Sequence, residues 1–237
     1  MIAPIQSDSL RDIFIQKFER LIFSGYFKIG ERLPPERGLA RMLGVSRPVV
    51  HEGLVNLVSK GLVTMTPRRG SVINDYRKEA SLFVLTSLFK YSDSQVSERL
   101  LASMLDMRML FEIENAGLAA KNRSESQMME FKALLDKGKQ LDFKDLTKIA
   151  LLDFEFHHLI SIASDNLVYP LLLNSLKQFY ISLTIKFFAD VSVIPWVLEH
   201  HTKIVRAIGE QSPEKTREYT KKLLLHGEKH LRSILKE

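Results

Sequence analysis

The stretch that decides the fold runs from Gly30 to Ile73 and reads GERLPPERGLARMLGVSRPVVHEGLVNLVSKGLVTMTPRRGSVI. Pro35 suits the first turn of a helix, where a backbone N–H is not needed, and Gly44 ends that helix. Ser46 is a good N-cap for the next helix, because its hydroxyl can accept from a free N–H of the first turn. The apolar stripe of this second helix has helical spacing: Val50, Leu54, Leu57 and Val58. Two short helices joined by a turn that contains glycine are typical of a helix-turn-helix.

The residues on either side complete a small domain. Upstream, apolar residues at helical spacing predict a first helix: Leu10, Phe14, Phe18, Leu21 and Ile22. Downstream, Leu62–Thr66 and Ser71–Ile73 are predicted strands, joined by the hairpin tip Pro67-Arg68-Arg69-Gly70. A basic hairpin beside a recognition helix can grip phosphate or enter the minor groove. The order of elements predicts a winged helix-turn-helix with three helices and a two-stranded wing.

From residue 76 onward the helical pattern dominates and no strand pattern appears. Helices are predicted near 79–90, 95–121, 125–138, 144–163, 167–188, 194–210 and 213–235. So much helix without a strand indicates an all-α bundle of six to seven helices. We therefore predict a mainly α chain with two domains, residues 1–75 and 76–237.

Composition limits the class of protein. The 237 residues include no cysteine, which excludes disulfides and thiolate metal sites and fits a reducing cytoplasm. No signal peptide is visible, and apolar stretches such as Leu167–Leu173 are too short for a bilayer, which needs about 20 residues. We expect a cytoplasmic protein without a membrane partner. Of the net charge of +6, residues 1–75 carry +4, which favours a polyanion as the partner of this segment.

The N-terminal segment resembles the DNA-binding domain of GntR-family regulators over about residues 8–75. The resemblance lies in the runs GERLPPERGLA from Gly30, LGVSRPVV from Leu43, Gly61-Leu-Val and Arg69-Gly-Ser. It implies binding to double-stranded DNA through the second helix, the start of the recognition helix and the wing. The implied contacts are Arg37, Ser46, Arg47, Pro48, Val49, Arg69 and Gly70. At two positions the chain departs from the pattern, with His51 where arginine is common and Gly53 where alanine is common.

The chemistry of these residues agrees with such a role. Arg47 and His51 are one helical turn apart, with Pro48 beside Arg47, so all three can face the groove. Arg47 carries the fork that matches guanine O6 and N7, and Arg68 adds a second cation at the hairpin tip. For Arg37 the alternative is an exposed or salt-bridged arginine without a DNA contact. A single recognition helix reads few base pairs, so we expect a homodimer on a palindromic operator.

The rest of the chain, about residues 80–235, resembles the FadR-type effector domain called FCD. The match lies in DMRMLFEIE from Asp106, LDFEFH from Leu152, Ala163-Ser-Asp-Asn, HTKIVRAI from His201 and Ser212-Pro-Glu. In many members of this group the bundle holds a divalent metal. Carried over by position, the ligands are Asp153, His157 and His201, and Leu223 occupies the usual fourth position.

The residues of the bundle leave three interpretations open: a metal such as Zn or Ni, an apolar cavity without metal, and a packed core without ligand. Asp153 and His157 are four apart and share a helix face, and such ligands suit divalent metals. His226 lies nearly one turn beyond Leu223 and is a substitute fourth ligand. Arg108 corresponds to an arginine that meets a carboxylate effector in this family, and its alternative role is an i,i+4 pair with Glu112.

We expect a DNA-binding transcriptional regulator, a repressor, whose operator binding responds to a small carboxylic acid. The alternative keeps the DNA-binding role with an apolar, fatty-acyl-type ligand and no metal, because the bundle is rich in aromatic residues. An Asp/His/His set is also found in hydrolytic zinc enzymes, but no general base stands near it in the sequence, and an enzyme is not expected. A sequence-independent architectural DNA protein would not need so large a helical domain.

Overall fold

The computed structural model describes residues 9–91 and 94–234, with the backbone alone at 94–97 and 234. The chain is mainly α-helical with one two-stranded sheet, which confirms the predicted fold class. It divides into two compact units, Met1–Leu100 and Leu101–Glu237.

The first unit is the winged helix-turn-helix. Its elements are α1 (Leu10–Phe23), α2 (Glu36–Leu43), α3 (Arg47–Ser59), β1 (Val63–Thr66), β2 (Gly70–Ile73), α4 (Tyr76–Glu79) and α5 (Leu85–Tyr91), with a 3-10 turn at Leu82–Val84. The antiparallel wing pairs Val63 with Ile73 and Thr66 with Gly70. Gly44, with a φ of 66°, ends α2 in the left-handed region that glycine adopts without strain.

A single apolar core holds the first unit together. The buried side chains come from α1, from α2 and α3, from both strands and from the segment after the wing: Phe14, Phe18, Ile22, Leu39, Val50, Leu54, Leu57, Val63, Ile73, Val84 and Leu88. The predicted stripe of α3 is buried at Val50, Leu54 and Leu57, whereas Val58 is 39% exposed. The core fixes α3 against α1 and the wing.

The wing has a short third neighbour that the sequence does not reveal. Arg32 bridges Val72 in antiparallel fashion. The Gly30 N–H donates to the Ile73 carbonyl at 2.9 Å, and the Leu33 N–H donates to the Ser71 carbonyl at 2.9 Å. Because Pro34 and Pro35 follow at once, the extended segment is too short to show an alternating pattern.

The second unit is an all-α bundle. Its helices are α6 (Ser94–Asn122, which begins in the first unit), α7 (Glu125–Lys139), α8 (Leu146–Ala163), α9 (Val168–Ser175), α10 (Lys177–Phe187), α11 (Ile194–Gly209) and α12 (Pro213–Ile234). The predicted helix 167–188 is therefore two helices that meet at Leu176, which is 2% exposed. Neither proline nor glycine marks this break. The predicted end at 235 lies outside the described residues.

The first unit extends beyond the boundary that the sequence predicts after residue 75. Val84 and Leu88, from the predicted first helix of the bundle, are buried in the core of the first unit. This apolar segment packs against α1 because α1 offers an apolar face to it. The compact unit consequently ends at Leu100.

Among the described helices, none is by itself both long and apolar enough to cross a membrane. Only the pair Lys177–Phe187 and Val191–Gly209 meets the length and composition criteria together, and it is bent by 99°.

Candidate nucleic-acid interface and metal centre

An open groove of about 750 Å³ separates the start of α2 and α3 from the wing. Five arginines line it: Arg32, Arg37, Arg47, Arg68 and Arg69. Glu36 is the only carboxylate among the lining residues. So many cations in one groove make it a site for a polyanion.

Arg47 and His51, one turn apart on α3, meet on the carboxylate of Glu36. The Nε of Arg47 donates to Glu36 Oε2 at 3.2 Å, and the Nδ1 of His51 lies 2.8 Å from Glu36 Oε1. The side chain of Glu36 is 20% exposed, while those of Arg47 and His51 are 73% and 55% exposed. The hydrogen bond with His51 and the contact with Arg47 lower the pKa of Glu36 despite its partial burial. Glu36 is therefore an anion with two partners on the recognition helix.

The start of α3 offers unused donors. Ser46 precedes the helix as predicted, but its side chain makes no capping hydrogen bond. Ser46 and Pro48 are exposed, and Val49 is half-buried. The hydroxyl and the first N–H groups of α3 can therefore receive a phosphate oxygen.

The wing presents its cations at the hairpin tip. Arg68 has a φ of 64°, and the Arg69 N–H donates to the Thr66 carbonyl at 3.0 Å, which closes the turn before Gly70. Within the described residues, no ion pair involves Arg37, Arg68 or Arg69. The salt-bridged alternative for Arg37 therefore finds no support in this part of the chain.

Sequence reasoning missed Arg32 and Glu36 as groove residues. Arg32 reaches the groove because its segment pairs with β2. The sequence did hold a signal for Glu36, because this residue directly precedes Arg37 in the PPER run. Its two partners, Arg47 and His51, lie one helical turn apart.

In the second unit, two helices bring the three implied metal ligands together. Asp153 and His157 lie on α8 and His201 lies on α11, and one ligand atom of each falls within 4.8 Å of the others. His157 and His201 are each 4% exposed at the side chain. The sequence therefore located a real cluster of buried polar groups.

A polar network surrounds this cluster. Arg108 Nε donates to Glu112 Oε1 at 2.5 Å and its Nη2 donates to the Tyr180 hydroxyl at 3.0 Å. The Tyr180 hydroxyl donates in turn to Asp153 Oδ2 at 2.9 Å, and Glu112 Oε2 lies 2.5 Å from His157 Nδ1. The i,i+4 pair of Arg108 with Glu112 is thus present. The sequence did not predict that Tyr180 links Arg108 to Asp153, because no motif indicates this contact.

Burial and charge set the protonation of the ligands. Burial raises the pKa of Asp153, but the His201 and His157 imidazoles and the Arg108 cation outweigh it and hold this pKa at about 2. Burial lowers the pKa of His201, more than Asp153 raises it. A carboxylate and a neutral imidazole are the forms that bind a metal.

The residues present fit a divalent cation. His201 Nε2 is buried without a hydrogen-bond partner and lies 3.4 Å from Asp153 Oδ1, and an unpaired buried nitrogen is costly. Glu112 engages one nitrogen of His157, as a carboxylate that orients a metal-bound histidine does. Asp153, His157 and His201 would hold the cation, which would supply a Lewis acid.

The fourth position is apolar. Leu223 is 6% exposed and lines a cavity of about 40 Å³ together with Arg108, Asp153 and His157. His226 does not join the ligands: its ring stacks on Trp196 with centroids 3.9 Å apart, and it is absent from the described cluster. The suggestion of His226 as a substitute ligand therefore finds no support among the described residues.

Comparison with known proteins identifies the family. The FCD domain matches residues 103–226, more than half of the chain, and the bacterial regulatory proteins of the gntR family match residues 14–73. The chain belongs to the GntR family. It is 32% identical over 171 residues to the Glc operon transcriptional activator of Escherichia coli (strain K12), which covers 70% of this chain and 65% of that protein.

A further relative and one solved structure are also similar to the chain. The chain is 25% identical over 191 residues to the fatty acid metabolism regulator protein of Serratia proteamaculans, covering 81% of this chain and 77% of the relative. A solved structure titled "Lar controls the expression of the Listeria monocytogenes agr system and mediates virulence" has a TM-score of 0.67 at 18% identity, over 97% and 99% of the two chains, and shows the fold alone. This GntR-family chain is a DNA-binding regulator of transcription with an effector domain, and its relatives are regulators rather than enzymes.

Proposed function

We propose that the chain acts as a homodimeric repressor in the cytoplasm and reads a palindromic operator with α3 and the wing. The observation that carries the proposal is the groove with five arginines between these elements. Arg47 and His51 would meet base edges in the major groove, and Arg37, Arg68 and Arg69 would meet the backbone or the minor groove. Ser46, Pro48, Val49 and Gly70 would line the approach to the phosphates. Two copies related by a two-fold axis would match two half-sites.

The test compares two arginine variants on a selected duplex and on random duplex. Arg47→Ala should lose about 1–3 kcal/mol of binding free energy on the selected duplex and should relax the base preference. Arg69→Ala should weaken both duplexes alike and reduce the salt slope by about one, because a phosphate contact carries no sequence information. Arg41→Ala, the same charge change on an exposed α2 residue outside the groove, is the matched control. Normal binding of the selected duplex by folded Arg47→Ala protein would contradict the assignment of α3.

We further propose that the bundle senses a small carboxylic acid beside a divalent metal held by Asp153, His157 and His201. The support is the unpaired His201 Nε2 and the cavity that Arg108 shares with Asp153 and His157. Arg108 would bind the effector carboxylate through its remaining guanidinium nitrogen, since its Nε and Nη2 already donate to Glu112 and Tyr180. The apolar alternative has less support, because the apolar cavity beside Met104 and Phe179 has a volume of only about 10 Å³.

Metal content and calorimetry test this centre. Wild-type protein loaded with Zn²⁺ should retain it, and His157→Ala or His201→Ala should bind it at least 10–100-fold more weakly, since loss of an outer-shell partner already costs that much. His200→Ala is the matched control, because His200 is buried next to His201 in sequence yet stacks on Trp196 outside the cluster. Leu223→His should tighten binding by adding a fourth ligand. Equal retention of Zn²⁺ by the wild type and both ligand variants would remove these residues from the site.

A further inference from the structure

Glu36 is the one carboxylate in a groove that otherwise carries arginines. A carboxylate that faces phosphates opposes DNA binding by like-charge repulsion. Its presence therefore needs a compensating role, and its only described contacts are Arg47 and His51, both on the recognition helix.

The contact with Arg47 uses a single nitrogen of the guanidinium. Because Glu36 Oε2 takes the Nε–H, the terminal nitrogens remain available, and the side chain is 73% exposed. A guanidinium held at one edge loses less conformational entropy when it meets a base, as a pre-organised group does. Glu36 can thereby aim Arg47 at guanine.

The contact with His51 has the same consequence for an imidazole. Nδ1 lies against Glu36 Oε1, so Nε2 is the ring nitrogen left for DNA. A carboxylate on one ring nitrogen fixes the orientation and the tautomer of the other, as in metal-bound and catalytic histidines. The two oxygens of the Glu36 carboxylate contact both Arg47 and His51. A glutamine could accept a hydrogen bond from only one of them, because its amide nitrogen is a donor.

We propose that Glu36 is a positioning residue for sequence specificity, which acts through Arg47 and His51 and does not itself contact the bases. This inference rests on the proposed readout by α3. Loss of Glu36 costs discrimination at the base positions that Arg47 and His51 read, and at no others. It leaves binding to random duplex equal or stronger, because one negative charge leaves the groove.

The experiment uses full-length protein and duplexes that the wild type selects from a random pool. Sequencing the duplexes bound by Arg47→Ala and His51→Ala identifies the base positions that each residue reads. Glu36→Gln should reduce base discrimination at those positions by roughly tenfold and leave the others as in the wild type. Glu52→Gln is the matched control: it removes the same charge from an exposed residue next to His51 on α3 and should change no position.

A second variant separates positioning from charge and from folding. Glu36→Asp keeps the charge but shortens the side chain by one methylene, which moves the carboxylate away from Arg47 and His51. It should therefore reduce base discrimination at the same positions as Glu36→Gln. Should Glu36→Gln melt below the assay temperature, Glu36→Asp carries the measurement. A uniform loss of base discrimination at every position would indicate a merely structural role for Glu36 and overturn the proposal. Unchanged base discrimination in both Glu36 variants would also overturn it.

Failure of the underlying assignment would look different. If Arg47→Ala and His51→Ala themselves leave every position intact, α3 does not read DNA, and the proposal falls together with the proposed readout. If Arg47→Ala and His51→Ala lose base discrimination at particular positions while both Glu36 variants retain it there, the readout by α3 stands and the role of Glu36 is disproved.

Discussion

Gly53 on α3 lies against a rigid aromatic ring from α1. A Cβ placed there would lie 2.2 Å from Cδ1 and 2.7 Å from Cε1 of Phe14. Phe14 is 3% exposed and stacks on Phe18 with ring centroids 4.2 Å apart, so it has no room to retreat. The departure from the family's usual alanine thus has a physical reason: this chain places a large ring where the Cβ would be.

Gly53→Ala should destabilise the first unit by about 1–3 kcal/mol, because overpacking outweighs the helix propensity of alanine. Gly38→Ala on α2 is the matched control, since its new Cβ would lie at an ordinary 3.8 Å from Pro34. It should stabilise the unit by about 0.5–1 kcal/mol. Urea unfolding measures both. If Gly53→Ala and Gly38→Ala stabilise the protein equally, Phe14 moves aside at little cost and the packing around Gly53 is not tight.

At the scale of elements, a buried carboxylate ties three helices of the first unit together. Glu19 on α1 is 3% exposed. It accepts from Lys60, at the end of α3, at 2.6 Å, and from Ser87 on α5 at 2.8 Å. Because a buried carboxylate is costly without partners, the three helices depend on one another.

Lys60→Met should destabilise the protein by about 1–3 kcal/mol, because Glu19 then keeps only the Ser87 hydroxyl. Replacing both partners, in Glu19→Leu with Lys60→Met, should recover part of this loss, since no charge stays buried. Lys17→Met, on the exposed side of α1, is the control and should have little effect. Thermal unfolding of the wild type and of these three variants is the measurement. If Lys60→Met unfolds at the same temperature as the Lys17→Met control, the ion pair of Lys60 with Glu19 is dispensable for stability.

The elements also show how far sequence reasoning reaches. Gly44 and the Pro67–Gly70 tip marked the helix-turn-helix and the wing correctly, because turn residues act locally; Ser46 marked the start of α3, although its side chain makes no capping hydrogen bond. The break at Leu176 and the docking of Leu88 on α1 depend on tertiary packing, which no local signal reports. In the candidate metal centre, the i,i+4 spacing of Asp153 and His157 was readable, whereas Tyr180 meets them only through the packing of α10 on α8.

At the scale of the whole molecule, the two units divide the chemistry. The first carries the excess of positive charge and the arginine groove, and the second carries a buried cluster of acids and imidazoles. In the function that we propose, DNA recognition and effector sensing therefore use different side chains. This division agrees with a family in which a DNA-binding domain is joined to an effector domain.

The most direct test of the account is to sequence the duplexes that the full-length protein retains from a random pool and to measure its affinity for the enriched sequence. We predict a two-fold symmetric motif whose half-sites repeat at about one helical turn or a multiple of it. At equal salt, the protein should bind it about 10³-fold or more tightly than a scrambled duplex. A pool without an enriched motif, or equal affinity for enriched and scrambled duplexes, would contradict the account.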